Sequence, residues 1–219
     1  MQPSSSREAL LTLLASHSFR LGDFTLASGQ RSDYYIDCRI TTLHAEGGRL
    51  AGIVLLDLIR DRFPTAQAIG GLTMGADPLV SNTASASAWA LADFTEIAEL
   101  SSALELDTDE DPGPPPTLIH GFLVRKAEKT HGTGRRIEGF LRPGAHVVIV
   151  DDVCTTGGST ITAIEAAREA GMHVAAVLCL VDREQGGRAH IEATIPGVPF
   201  IAAFTASQVR AAHIALRKP

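Results

Sequence analysis

VVIVDDVCTTGGST, residues 147–160, sets four β-branched residues ahead of two adjacent acids and a turn rich in Thr, Gly and Ser. The apolar run Val147, Val148, Ile149 and Val150 is too short for a helix and predicts a strand covered on both faces, as in a parallel sheet. Asp151 and Asp152 then fall at its carboxyl end, where open α/β sheets receive ligands. Small residues from Thr155 to Thr160 let successive backbone N–H groups turn toward an anion, ahead of a helix starting near Ile161. That order suits a phosphorylated sugar, with phosphate on the turn and hydroxyls on the acids. An acid pair in this position can also do no more than cap the turn, and Gly157-Gly158 no more than make it.

Working outward, residues 145–150 form the predicted strand, residues 160–170 the helix closed by Gly171, and residues 174–181 the next buried strand. Together they make one βαβ crossover. Upstream, Leu10, Leu13, Leu14 and His17 recur at helical spacing behind Ser4 to Ser6 and predict a helix over 7–17. A second helix is expected over 44–62, with Leu50, Ile53, Val54 and Leu58 inward and Pro64 beyond its end, followed by a strand over 66–72. Thr73 to Pro78 make a strand-to-helix turn and a second possible anion loop, and the helix after it covers 79–94 with Trp89 as core filling. A strand over 118–124, a last strand over 191–203 and a terminal helix over 207–216 complete the pattern. Strands alternating with helices indicate a doubly wound, mainly parallel sheet.

The 219 residues suffice for one α/β domain with a full core. At 45% hydrophobic and 20% charged, the chain reads as an ordinary globular protein. It carries no run of about 18 apolar residues and no signal-peptide pattern at its start, so the cytoplasm is the expected compartment and no membrane partner is expected. Cys38, Cys154 and Cys179 lack C-x-x-C spacing and read as buried or incidental thiols. The formal charge is -6, of which Glu105, Asp107, Asp109, Glu110 and Asp111 supply five. That acidic, Pro-rich insert, about 101–116, should be a solvated excursion, and the near-neutral remainder offers no nucleic-acid surface.

Residues 147–160 resemble the 5-phosphoribosyl 1-pyrophosphate (PRPP) signature of type I phosphoribosyltransferases, in which a hydrophobic strand precedes an acid pair and a Thr/Gly loop. A second segment, Arg125-Lys126-Ala127-Glu128-Lys129-Thr130-His131-Gly132, is dense in positive charge. By itself it reads as a solvated loop. In the pattern R-K-x-x-K-x-H-G, ahead of the acid pair, it looks like the catalytic loop of orotate phosphoribosyltransferases. FTLASGQRSDYYID, residues 24–37, and GLTMGADPL, residues 71–79, resemble further segments of that family, so the likeness spans nearly the whole chain.

The resemblance implies one α/β domain over residues 1–219: a type I phosphoribosyltransferase fold, with a mainly parallel sheet flanked by helices and a small hood from the N-terminal segment. It implies transfer of ribose 5-phosphate from PRPP to orotate, giving orotidine 5-monophosphate and pyrophosphate. Lys129, His131, Asp151 and Asp152 are the implied catalytic residues. Arg125, Lys126, Lys129 and His131, on a mobile loop over about 125–139, would meet the pyrophosphate, some of them across a homodimer. Asp151 and Asp152 would hold the ribose hydroxyls, and Val153, Cys154, Thr155, Thr156, Gly157, Gly158 and Ser159 complete the PRPP contacts. Thr155 and Arg183 would receive orotate, a guanidinium fork matching a planar carboxylate. The alternative for Arg183 is a surface ion pair with Asp182 or Glu184. Mg²⁺ is the implied cofactor, held by PRPP and water rather than by a protein cage. Ala27 stands where many relatives carry lysine, and Cys154, at a place often Ile or Val, would make the loop sensitive to thiol reagents. Transfer to another base, or PRPP sensing by a regulator of the same fold, are the other readings.

Overall fold

The computed structural model describes residues 5–25, 31–104, 113–126 and 136–217. Helix α1 (Ser6–Leu13) starts at a capping box between Ser5 and Glu8, and its last turn widens into a π form over Leu14–Ser18. Strands β1 (Phe19–Thr25) and β2 (Arg31–Ile36) follow as a separate antiparallel pair, the hood. Then come α2 (Arg39–Thr42), α3 (Ala45–Arg62), β3 (Ala68–Leu72), α4 (Asp77–Ala103), β4 (His120–Val124) and β5 (Ile137–Gly139). The C-terminal half is β6 (His146–Cys154), α5 (Gly158–Glu169), β7 (His173–Asp182), α6 (Gly187–Thr194), β8 (Phe200–Thr205) and α7 (Ala206–Ala215).

The main sheet has the order β5-β4-β3-β6-β7-β8, parallel throughout except for β5. Residue parity divides β6 between two cores. Val148 and Val150 pack with Leu178 and Leu180 against residues of α1, α3, α4 and α7, while Val147 and Ile149 pack with Val177 and Cys179 against Ile161, Ala163 and Ile164 of α5. Each of the four apolar β6 side chains is buried, worth about 1.5–3 kcal/mol apiece, which explains why the run has no polar alternation.

Several elements depart from expectation. β6 does not stop at Val150 but continues through both acids to Cys154, and α5 begins at Gly158 rather than near Ile161. The predicted strand over 191–203 is a helix and a strand: Ile191 faces inward from α6, Pro196-Gly197 turns the chain, and pairing with β7 starts at Phe200. Helix α4 runs on to Ala103, so residues 101–103 are helical rather than part of a loop; residues 105–112 of the acidic insert lie outside the described residues. Trp89 is 59% exposed and fills no core, because it lies off the α4 face that buries Leu79, Val80, Thr83, Ala86 and Ser87. Within the predicted basic loop, residues 137–139 form β5, and residues 127–135 lie outside the described residues.

Candidate active site

The chain leaves β3 toward β4 on one side and returns in β6 on the other, so the sheet reverses direction of growth between β3 and β6. Over that crevice, at the carboxyl ends of the strands, lies a cavity of about 700 Å³. Its walls include Tyr35, Asp37 and Arg39 beneath the hood, Thr73 to Gly75 after β3, Arg125 and Lys126 after β4, Asp151, Asp152, Val153, Thr155 and Ser159 around the end of β6, and Arg183 after β7.

Thr160, buried in the first turn of α5, donates its hydroxyl to Asp151 Oδ2 at 2.7 Å. Burial nevertheless pushes the Asp151 carboxyl up to about 7, with Thr160 opposing and the neighbouring Asp152 charge adding to the rise. Asp152 is raised by burial too, against the backbone N–H of Val153 and the attraction of Arg39. Two acids side by side in a half-buried cleft are poised to accept hydroxyl hydrogens, or to share protons when nothing is bound. Gly75 makes this geometry possible, because a Cβ there would lie 2.3 Å from Asp152 Oδ1.

The turn from Thr155 to Gly157 ends in Gly157, at φ +82°, and α5 starts without a side-chain cap. Its first N–H groups therefore lack intrahelical partners and point, with the helix dipole, at an incoming anion. The turn is secured from below by α6: His190 Nδ1 lies 2.7 Å from the Thr156 carbonyl oxygen, and Ile191 packs beneath Gly157. Cys154 belongs to this support and not to the cavity. Its side chain is fully buried, and its sulfur lies against Gly187, where a Cβ would approach to 2.6 Å. The Cys154 side chain is thus withdrawn from thiol reagents, and any PRPP contact there falls to its backbone: the alternation of β6 shifts after the two acids, so that Val153 packs with the core of Val148 and Val150 and Cys154 with that of Val147 and Ile149.

Arg183 is 6% exposed. Its guanidinium lies over the Tyr34 ring at 4.9 Å, its Nη2 donates to Ser32 Oγ at 3.4 Å, and its buried Nε has no hydrogen-bond partner. The surface ion pair does not form. Asp182 instead faces Arg188 at 3.6 Å and accepts from the Glu184 N–H, while Glu184 accepts from Ser207. Among the described residues no carboxylate pairs with Arg183, so a buried cation waits in the cavity wall.

Thr156, Gly157 and Gly158 form the turn and helix start but do not line the cavity themselves. Arg125 lines it while pairing with Glu138 at 3.3 Å, and Lys126 is exposed at its rim. Lys129 and His131 lie outside the described residues, as does Ala27. The residue that motif reading passed over is Arg39, whose only signal was its place two residues after the quoted 24–37 segment.

A sheet of this order, with an acid pair and an uncapped helix N-terminus at its reversal point, has the architecture of a type I phosphoribosyltransferase, and residues 123–209 match the phosphoribosyl transferase domain family. The chain is 40% identical to the orotate phosphoribosyltransferase of a Synechocystis species over 205 residues, covering 93% of this chain and 88% of that one. Among solved structures it is similar to the Mycobacterium tuberculosis orotate phosphoribosyltransferase complexed with Fe(III) dicitrate, with TM-score 0.71 and 31% identity over 94% of this chain and 99% of that one. A structure of the M. tuberculosis enzyme in complex with PRPP gives TM-score 0.66 and 29% identity over the same shares. The chain belongs to the orotate phosphoribosyltransferase family.

Proposed function

We propose that this protein transfers the 5-phosphoribosyl group of PRPP to N1 of orotate, giving orotidine 5-monophosphate and pyrophosphate in the synthesis of UMP. The observation that carries the reading is the buried, carboxylate-free guanidinium of Arg183 in the same cavity as the acid pair. A planar base bearing a carboxylate answers that cation, and an unsubstituted base does not.

In this reading the 5-phosphate sits on the N-terminus of α5 beside Thr155 and Ser159, and Asp151 and Asp152 accept the ribose 2- and 3-hydroxyls. Arg125 and Lys126, with Lys129 and His131 assigned from sequence, receive the pyrophosphate. As the bond from C1 to the pyrophosphate oxygen breaks, its electron pair leaves with that oxygen and N1 takes its place, releasing its proton. Positioning and electrostatic stabilisation of the leaving group supply most of the rate. The donor set suits a Mg²⁺ ion that arrives on the substrate, because Asp151 and Asp152 flank the expected sugar. When bound, Mg²⁺ neutralises charge on the pyrophosphate.

The protein is further proposed to be a single-domain, cytoplasmic homodimer. Among the described residues no helix is long and apolar enough to cross a membrane. Product analysis tests the function. Orotidine 5-monophosphate and an equal amount of pyrophosphate should appear only with orotate, PRPP and Mg²⁺ together, and a purine nucleotide in their place would move the protein to the other-base reading. Lys129→Ala should lose most turnover at saturating PRPP.

A further inference from the structure

Arg39 opens α2 at the cavity wall, and no role assigned above uses it. Its Nε donates to Asp37 Oδ1 at 2.9 Å, its Nη2 to Asp37 Oδ2 at 2.8 Å, and its backbone N–H to the same Oδ1 at 3.1 Å. That fork fixes the guanidinium plane and occupies one of its edges, leaving Nη1 for an incoming group. The side chain remains 45% exposed along the cavity. Its charge reaches Asp152, whose carboxyl it helps hold down against burial.

Stereochemistry says what would come to it. In PRPP the pyrophosphate is on the α face of the ribose, the face that also carries the 2- and 3-hydroxyls. A sugar whose hydroxyls rest on Asp151 and Asp152 therefore directs its pyrophosphate to the side of those acids, away from the turn that takes the 5-phosphate. On that side Gly75 comes close to Asp152, but the Thr73–Gly75 lip has no cation of its own; residues 63–124 contain neither Lys nor Arg. Arg125 and Lys126 reach the cavity from the end of β4, and Arg183 is taken by the base carboxylate in the reading above. Arg39 supplies charge where the lip lacks it.

We infer that Arg39, held in place by Asp37, is a substrate-binding residue for the pyrophosphate group of PRPP. The inference rests on the PRPP reading above and adds a contact beyond the basic loop. Asp37 keeps the guanidinium oriented when the cavity is empty, so little side-chain freedom is lost on binding.

The experiment is calorimetric binding to the full chain of Mg²⁺–PRPP, Mg²⁺–pyrophosphate and ribose 5-phosphate, for the unaltered protein, Arg39→Ala and Arg39→Lys. Arg39→Ala should weaken PRPP and pyrophosphate by about tenfold or more and leave ribose 5-phosphate within about twofold, with Arg39→Lys recovering part of the loss. Asp37→Asn should weaken PRPP by a smaller factor. Equal weakening of PRPP and ribose 5-phosphate would make Arg39 a support for the acid pair, and unchanged PRPP binding would make it a surface ion pair; either result overturns the inference. If Arg39→Ala does not fold, the same comparison in Arg39→Lys decides. Because binding is read without orotate, an unaltered protein that binds PRPP but turns over no orotate would sink the proposed function and leave the Arg39 result standing.

Discussion

Replacing Arg183 by methionine should separate the function of this residue from its place in the fold. If its guanidinium makes two parallel hydrogen bonds to a carboxylate, and each hydrogen bond to a charged group is worth about 1.5–3 kcal/mol, the variant loses about 3–6 kcal/mol of binding in a buried site. At about 1.4 kcal/mol per factor of ten, kcat/KM for orotate should fall by roughly two to four orders of magnitude. Stability should barely respond. In the unliganded protein Nε is buried without a partner, the Ser32 contact is long, and the main favourable contact is the Tyr34 ring at 4.9 Å. Losing that cation–π contact costs about 0.5–2 kcal/mol, which removal of a buried unpaired charge offsets. The melting temperature should therefore move by less than about 4 °C. Steady-state kinetics with orotate and PRPP varied in turn, alongside thermal melts, give both numbers. A variant that kept kcat/KM for orotate within about threefold while losing more than about 8 °C would refute the reasoning, because Arg183 would then be serving the fold.

Three other perturbations follow from the acid pair and its supports. The Asp151 carboxyl is raised from 3.8 to about 7 in the folded protein, so the stability it contributes is full below pH 3.8 and is lost as pH rises through about 7. Urea melts of the unliganded protein across that window should show the unaltered chain losing stability relative to Asp151→Asn, and a constant difference would contradict the shift. The sugar hydroxyls need the ionised acid, so PRPP affinity by calorimetry should strengthen from about pH 6 to about pH 8, with proton release detectable in buffers of different ionisation heat. Gly75→Ala puts a methyl 2.3 Å from Asp152 Oδ1 and should raise the KM for PRPP by about tenfold or more, since small misplacements at a reacting centre are costly. Gly187→Ala drives a methyl into the Cys154 sulfur and the Thr155 carbonyl oxygen, and should cost about 1–3 kcal/mol in denaturant melts while loosening the phosphate turn.

The middle of the site was legible from sequence because its information is local. A β-branched run, two acids, a small-residue turn and a helix lie in one stretch of chain, and Arg183 follows one crossover later. The burial of the Cys154 thiol was not legible because β6 carries on past Val150 and its alternation slips after the acids, leaving Val153 on one core and Cys154 on the core of Val147 and Ile149. The misreading of residues 191–203 has the same root in periodicity. Ile191 and Ile195 keep helical spacing, while Phe200, Ala203 and Phe204 belong to a strand, and one apolar run concealed both. Trp89 looked like core because its bulk was weighed without its place on the helix, off the face that buries Leu79, Val80, Thr83 and Ala86. The stacking of Arg183 on Tyr34 was out of reach for a different reason. The hood must first fold over the strand ends, bringing residues 149 to 151 positions apart into contact.

The central claim is a site built for PRPP and a carboxylated pyrimidine. The most direct measurement is the fall in orotate absorbance when PRPP and Mg²⁺ are added, set beside uracil, which lacks the carboxylate, and hypoxanthine. Rapid loss of orotate, abolished in Arg183→Met, with no turnover of uracil or hypoxanthine, is the predicted result. Turnover of hypoxanthine or uracil with orotate untouched would contradict it.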